Sequence, residues 1–191
     1  MKLLVGLGNP ESRYAGTRHN LGFEVLDELT RKLNLVDWVK EDKFKSEIIK
    51  TSELILAKPY TFVNKSGLAV SAVANFYKIT PENIIIIHDE LDLPLGKIKV
   101  RIGGAAAGHH GVESIITALG TDLFIRVRLG IGNLKTQSAE KKAIHVSAEK
   151  FVLEPFLHSE KPQVKHMTKQ SIKALNLLLE EGLEQTQSQF N

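Results

Sequence analysis

Four consecutive isoleucines, residues 84–87, constrain the fold more than any other stretch of this sequence. An unbroken β-branched run indicates a strand buried on both faces, which is typical of the centre of a parallel sheet. Three carboxylates, Asp89, Glu90 and Asp92, follow directly. Because open α/β sheets bind ligands at the carboxyl ends of their strands, this position is a candidate site. The sequence therefore predicts an α/β fold with this strand at the centre of its sheet.

A second buried strand is predicted at residues 3–5, and it ends in the motif Gly-Leu-Gly-Asn-Pro at residues 6–10. The amide of Asn9 and the imidazole of His19 are thereby delivered to one strand end, and we interpret this as the start of an active site. A dinucleotide fingerprint is disfavoured, because Glu11 stands where a third glycine is required. His19 alone could equally be a surface or helix-entry histidine, so its role depends on partners elsewhere.

The carboxylates after residues 84–87 admit three interpretations. Clustered carboxylates suit a magnesium ion. They could instead form an acidic loop that caps local backbone groups. A third possibility is that one carboxylate orients a histidine and fixes its tautomer, as in a catalytic triad.

The remaining periodicity predicts helices and a hairpin around these strands. Apolar spacing indicates helices at about residues 21–34 and 66–78, and an antiparallel hairpin within 38–58 that turns at 51–53. Asn64 precedes the second helix, and N-capping is the favoured interpretation for that residue alone. A C-terminal helix is expected at about 160–183, followed by a polar tail that frays.

Cations alternate with apolar residues at positions 96–101. A period of two places Lys97, Lys99 and Arg101 on one strand face, and Arg126 with Arg128 repeats the pattern on a later strand. An edge strand protected by lysines and a phosphate-binding face explain this pattern equally well.

The rest of the chain shows one domain, residues 1–191, without linkers or repeats. Residues 103–111 form a loop of small residues before a short helix, where close approach of a large ligand is possible. Residues 133–156 are expected to be a lid or loop region, because 133–148 are polar and aperiodic. The absence of cysteine excludes disulfides and thiolate metal sites, and we expect a cytoplasmic chain. A net charge of +3 permits a polyanionic partner without requiring one.

In combination, these motifs resemble the bacterial peptidyl-tRNA hydrolase family over roughly residues 3–183. The resemblance rests on GLGNP with TRHNLGF, KPYTFVNKSG, IIIIHDELDLPLGKIKVR and IRVRLGIG, which occur in that order. It implies a single α/β domain with a mixed twisted β-sheet flanked by helices. It also implies a monomeric enzyme that hydrolyses the ester between a peptide and the 3′ end of tRNA, recycling tRNA from aborted translation. It also implies that no metal and no cofactor is needed.

The resemblance assigns roles to individual residues. His19 corresponds to the general base that activates water, and Asp89 to the aspartate that hydrogen-bonds it. The remaining roles concern substrate binding. The peptide and the terminal nucleotide would be bound by Asn9, Tyr14, Val63, Asn64 and the residue at the position of His110. A tRNA phosphate would be bound by Lys99, Arg101 and Arg128.

The sequence departs from the family pattern in the small-residue loop. His110 replaces an asparagine associated with substrate binding, Ala106 replaces a histidine, and Val63 stands where methionine is common. Two alternatives remain at this point. One is a non-catalytic RNA-binding relative of the same fold, and the other is a metal-dependent phosphate-ester hydrolase that uses Asp89, Glu90 and Asp92.

Overall fold

The isoleucine run lies at the centre of a mixed seven-stranded sheet. The structure is a computed structural model that describes residues 1–35, 37–132 and 148–191. The strands of the described chain are β1 (Lys2–Gly6), β2 (Val39–Glu41), β3 (Ser46–Lys50), β4 (Leu54–Pro59), β5 (Ile84–Glu90), β6 (Ile98–Ile102) and β7 (Ile125–Gly130). Their order in the sheet is β2-β3-β4-β1-β5-β7-β6. Every residue of β5 is buried, as predicted for a central strand.

Parallel and antiparallel pairing divide the sheet. β1 runs parallel to both β4 and β5, and β5 runs parallel to β7. The β3–β4 pair is antiparallel around residues 51–53, which confirms the predicted hairpin, and β2 extends it. β6 lies antiparallel to β7 at the edge. The mixed sheet predicted from the sequence is confirmed.

Helices cover both faces of this sheet. Those of the described chain are α1 (Leu21–Lys32), α2 (Ser66–Tyr77), α3 (His110–Leu119), α4 (Ala148–Val152), α5 (Lys161–Glu180) and α6 (Leu183–Phe190). One apolar core packs α1 and α5 against Leu4, Ile85 and Ile87, and the other packs α2 and α3 against the alternate residues. This alternation is the period-two rule of a strand with two buried faces. None of the described helices has the length and apolar character needed to cross a membrane.

The polar tail is helical, contrary to the prediction that it frays. α5 ends near Gly182, whose φ of 89° breaks the helix, and α6 follows immediately. The Asn191 side chain accepts a hydrogen bond from the Val100 N–H at 2.7 Å and donates one to the Val100 carbonyl at 2.9 Å. Gln187 donates to the same carbonyl at 3.0 Å. Polar side chains therefore satisfy the free edge of β6 and hold the tail in place.

Two features position the site. α1 begins close to β1 and β5, because a Cβ on Gly22 would collide with the carbonyl oxygen of Ile87. The 3-10 turn Arg18–Asn20, directly before α1, is thereby held beside the carboxyl ends of β1 and β5. Of the predicted lid, residues 133–147 lie outside the described residues, whereas 148–156 include α4.

Candidate active site

A cleft of about 520 Å³ opens where β1 and β5 end. The loop after β1 contributes Asn9, the 3-10 turn contributes His19, and the end of β5 contributes Asp89. The start of α3 and part of α4 form further parts of its wall, through residues that include His109, His110 and Val152. The two strand ends predicted to share a site do share one.

His19 and Asp89 form a hydrogen-bonded pair. Nδ1 of His19 lies 2.9 and 3.1 Å from the two carboxylate oxygens of Asp89, whose side chain is 2% exposed. An ionised carboxylate only accepts hydrogen bonds, so Nδ1 carries the hydrogen and the lone pair of a neutral ring is on Nε2. Nε2 has no hydrogen-bond partner among the described residues, and His19 lines the cleft. A proton acceptor is therefore available to a bound molecule.

The pair also sets the charge states at the site. Burial alone would lower the pKa of His19, but the Asp89 charge and hydrogen bond outweigh it, so the pKa of His19 is raised. Burial alone would raise the pKa of Asp89, whereas His19 and His109 together hold the pKa of that carboxyl well below its usual range. Asp89 is thus a carboxylate at neutral pH, and a protonated His19 is stabilised.

His109 is a site residue that the sequence reasoning missed. As the N-cap of α3 it accepts hydrogen bonds at Nδ1 from the N–H groups of Gly111 (3.1 Å) and Val112 (3.3 Å). The neutral ring must then carry its hydrogen on Nε2, which lies 3.1 Å from Asp89 Oδ1 and donates to it. The sequence gave one signal for this residue, a histidine directly before a predicted helix. That signal does not specify which side chain Nε2 of the ring contacts.

These hydrogen positions disfavour a metal site. Among the described residues, His19, Asp89 and His109 are the group whose ligand atoms lie within 4.8 Å of one another. A metal would need the lone pair of His109 Nε2, but that would place the ring hydrogen on Nδ1, against two backbone N–H donors. The donor set therefore does not suit a metal ion.

The alternative cluster of Asp89, Glu90 and Asp92 does not form. Glu90 instead accepts hydrogen bonds from Arg128 Nε at 2.9 Å and from the Asp92 N–H at 3.1 Å, while Asp92 is exposed. Among the described residues, no metal-ligand grouping includes Glu90 or Asp92. The predicted interpretation in which a carboxylate orients a histidine is the one that matches the structure.

Asn9 is held so that its amide donor faces the cleft. Its Oδ1 accepts a hydrogen bond from the Val63 N–H at 3.0 Å. Its backbone N–H donates to Asn20 Oδ1, and its carbonyl accepts from Asn20 Nδ2, both at 2.9 Å. With Oδ1 occupied, Nδ2 makes no hydrogen bond with the described residues, and Asn9, which is 7% exposed, lines the cleft. The sequence reasoning gave Asn20 no role, although it adjoins His19.

The other predicted substrate-binding residues are distributed around the cleft. Val63, Asn64 and His110 line it, with Val63 buried and the other two exposed. The N-capping interpretation of Asn64 is wrong: Lys65 is the N-cap of α2, there is no side-chain cap, and the Asn64 amide makes no hydrogen bond with the described residues. Tyr14 lies outside the cleft wall, with its ring 6.5 Å from that of Phe62, an exposed residue at the rim.

The predicted phosphate-binding residues lie on β6 and β7, beside the cleft. Lys99 pairs with Arg128, and Arg101 with Arg126, across the two strands. Arg126 is buried and donates to the carbonyls of Gly103, Gly104 and Ala105. Arg128 forms its ion pair with Glu90. Lys99 and Arg101 have no ion-pair partner among the described residues; Lys99 is exposed, and Arg101 is partly buried.

His88 lies beneath the pair. Its Nδ1 donates to the Asp89 carbonyl at 2.7 Å, and its Nε2 has no partner among the described residues. Burial first, and the neighbouring His109 second, lower the pKa of His88 well below the usual value. This ring is therefore neutral and does not face the cleft.

The geometry defines a class of protein. No Ser, Thr or Cys occurs among the described residues that line the cleft, so they offer no hydroxyl or thiol nucleophile. A histidine base oriented by a carboxylate and a preorganised amide donor instead suit attack by water on a carbonyl. The α/β fold and this site together suit a hydrolase that activates water.

Comparison with known proteins agrees with this class. A family model described as Peptidyl-tRNA hydrolase matches residues 3–191. The peptidyl-tRNA hydrolases of Campylobacter curvus and Thermodesulfovibrio yellowstonii are 43% and 39% identical to the chain, and each alignment covers 100% of it. These alignments cover 96% and 99% of the respective relatives. The chain belongs to the peptidyl-tRNA hydrolase family.

A solved structure supports the same conclusion. The crystal structure of peptidyl-tRNA hydrolase from Acinetobacter baumannii superposes with a TM-score of 0.86 at 32% sequence identity. The match covers 100% of this chain and 94% of that one. The similarity therefore includes the whole sheet and the helices on both its faces.

Proposed function

We propose that this chain hydrolyses the ester bond between a peptide and tRNA, releasing tRNA from prematurely terminated translation. The main support for this proposal is the His19–Asp89 pair, which leaves Nε2 of His19 open to the cleft. Membership of the peptidyl-tRNA hydrolase family supports the substrate. We further propose that residues 1–191 act as one domain, as a monomer and in the cytoplasm, where peptidyl-tRNA arises.

His19 Nε2 takes a proton from a water molecule, and the hydroxide attacks the ester carbonyl carbon. Asn9 Nδ2 and the Asn64 amide are neutral donors for the carbonyl oxygen and the peptide backbone. Collapse of the tetrahedral intermediate breaks the bond to the terminal ribose oxygen, which receives the proton from His19. Asp89 stabilises the imidazolium between these steps.

Binding divides between the cleft and the cationic face. Val63 and His110 would contact the peptide, and Tyr14 the terminal nucleotide beside Phe62. Lys99, Arg101 and Arg128 would bind a tRNA phosphate, because cations contribute affinity for the backbone independently of sequence. Amide contacts to the peptide main chain would let one site accept varied side chains.

The direct test compares wild type with His19→Ala on a peptidyl-tRNA, with a chelator present throughout. Loss of the base should lower the rate by about 10² to 10⁴-fold, while tRNA binding stays close to that of wild type. Release of free tRNA measures the rate, and a filter-binding or fluorescence titration measures affinity. His166→Ala is the matched control, because that histidine is exposed on α5.

Comparable activity in His19→Ala would refute the assignment of the base. Activity abolished by the chelator would favour the metal-dependent alternative. If wild type bound tRNA without hydrolysing peptidyl-tRNA, the RNA-binding alternative would replace the enzyme. A protein that only binds RNA would have no need for the histidine–carboxylate pair in the cleft.

A further inference from the structure

Arg18, the neighbour of the proposed base, is almost completely enclosed. Its side chain is 4% exposed, and its Nη2 donates to Glu160 Oε2 at 2.8 Å. Its Nη1 donates to the carbonyls of Pro155 at 2.8 Å and Glu154 at 3.2 Å. The guanidinium carbon lies 4.3 Å from the ring centre of Phe151 and 5.1 Å from that of Phe156, which makes two cation–π contacts.

All these partners belong to one segment, residues 151–160. Backbone contacts add to them: the Arg18 N–H donates to the Glu154 carbonyl at 3.1 Å, and Thr17 forms a β-bridge with Pro155. Glu160 also accepts a hydrogen bond from the Leu157 N–H at 2.7 Å. The guanidinium thus joins the 3-10 turn of His19 to the chain that follows α4.

The same segment forms a wall of the cleft. Val152 and Leu153 line it together with Ala148 and Glu149 of α4. Phe151, between them, is buried beneath Arg18. The position of this wall relative to His19 therefore depends on the contacts of Arg18.

We propose that Arg18 is a positioning residue for the reaction proposed above, fixing the α4 wall against the turn that carries His19. The inference rests on the proposed function. Arg18 touches no substrate and acts through the wall and the turn. A planar guanidinium with separate nitrogens can bind two carbonyls and a carboxylate while stacking on rings, whereas a single ammonium cannot satisfy all of these partners.

Loss of the wall should alter His19 in two ways. A displaced base or substrate lowers kcat, because an error of about 1 Å in position can cost about 10²-fold in rate. Less burial of His19 raises its pKa, since burial is what lowers it. Among the described residues, the titratable groups that line the cleft with His19 are Lys65, Asp89, Glu90, His109, His110 and Glu149. Asp89 is bonded to His19, the His109 ring lies 5.0 Å from the His19 ring, and Glu149 is the one that belongs to the α4 wall.

The experiment measures kcat, KM and the pH profile of kcat/KM for Arg18→Lys on a peptidyl-tRNA, well below the melting temperature of the variant. We expect kcat to fall about tenfold or more, with the acidic limb of the profile moved to higher pH. Arg31→Lys is the matched control, because Arg31 pairs with Glu28 at 2.7 Å on the exposed face of α1. It should match wild type.

Each outcome has a distinct meaning. A purely structural role would lower the melting temperature of Arg18→Lys but leave kcat and the acidic limb unchanged, which would overturn the proposal. If Arg18→Lys does not fold, Glu160→Gln provides the test, because it removes only the paired charge. Wild-type kcat and pH profile in Glu160→Gln would then refute the proposal. An inactive wild type would refute the proposed function instead.

Discussion

At the residue scale, one carboxylate organises the site by accepting from two imidazoles. The tautomer of His109 follows from its N-cap bonds, and that of His19 follows from Asp89 being ionised. Asn9 behaves similarly, since the Val63 N–H selects which end of its amide faces the cleft. The orientation of each functional group is thus set by a backbone group or by a charge.

Asp89→Asn tests this arrangement through pH. The negative charge of Asp89 raises the pKa of His19, so its removal should lower that pKa and move the acidic limb of kcat/KM to lower pH. An Asn amide facing Nδ1 can also stabilise the wrong tautomer, so kcat should fall by about 10²-fold or more. The measurement is the pH profile of initial rates, with the exposed Asp42→Asn as control. An acidic limb that stays in place would show that Asp89 does not set the pKa of His19.

The site residues that could be predicted from the sequence lie in recognisable motifs, whereas those that were missed are defined by their hydrogen bonds. Asn9, His19 and Asp89 follow predicted strands within distinctive motifs, so their positions could be anticipated. His109, Asn20 and Arg18 act through hydrogen bonds to distant groups, and no periodicity specifies which nitrogen or oxygen meets which partner. The Asn64 capping interpretation failed because the preference for Asn at N-caps is statistical, and α2 begins after a 3-10 turn that contains Asn64.

At the scale of elements, β6 and β7 place like charges on neighbouring strands. Directly opposed cations destabilise a sheet unless other groups offset them. Carbonyls of residues 103–105 offset Arg126, and Glu90 offsets Arg128, whereas Lys99 and Arg101 have no ion-pair partner among the described residues. The edge position predicted for β6 is confirmed, and phosphate binding by its cations stays a prediction.

Lys99→Ala combined with Arg101→Ala should weaken tRNA binding and flatten its salt dependence. Two lost phosphate contacts reduce the slope of log K against log salt by roughly 1.4 to 1.8, at 0.7 to 0.9 per contact. Titrations of tRNA at several salt concentrations measure the slope. Lys40→Ala with Lys43→Ala, exposed cations near β2, should leave it unchanged. An unaltered slope in the first pair would place the phosphate elsewhere.

Elements with a clear apolar period were predictable, and α6 was not. The strands and α1 have period-two burial or helical spacing that the sequence displays directly. α6 is polar throughout much of its length, and its position depends on Gln187 and Asn191 meeting the backbone of Val100. Such long-range side-chain bonds leave no local signal.

At the scale of the whole molecule, a buried histidine links stability to pH. His88 is fully enclosed, and its pKa lies well below 6.5 because of burial first and nearby charge second. An unfolded chain would protonate this ring near pH 6.5, whereas the folded one does not. The contribution of His19 to stability has the opposite pH dependence, because its pKa is raised by folding. That contribution is fully present below pH 6.5 and is lost as the pH rises through the pKa of His19 in the folded chain.

Unfolding free energy should therefore fall as pH drops from 6.5 towards 5. His88 alone should change the unfolding free energy by up to about 1.4 kcal/mol per pH unit. The His88→Asn variant should show a smaller pH dependence, whatever the overall stability of that variant. Denaturant titrations at pH 7, 6 and 5 give the three free energies. His166→Ala, an exposed histidine, should keep the wild-type slope. A slope in His88→Asn equal to that of wild type would mean that another group binds the proton.

The α6 contacts to Val100 have a consequence for self-association. A free strand edge is a template on which another chain can add a strand, by β-augmentation or fibril growth. At β6 the outward N–H and carbonyl of Val100 are already bonded to Asn191 and Gln187, so strand addition there must first displace α6. At Val100, strand addition by another chain would therefore compete with α6, while the neighbouring Lys99 side chain stays exposed.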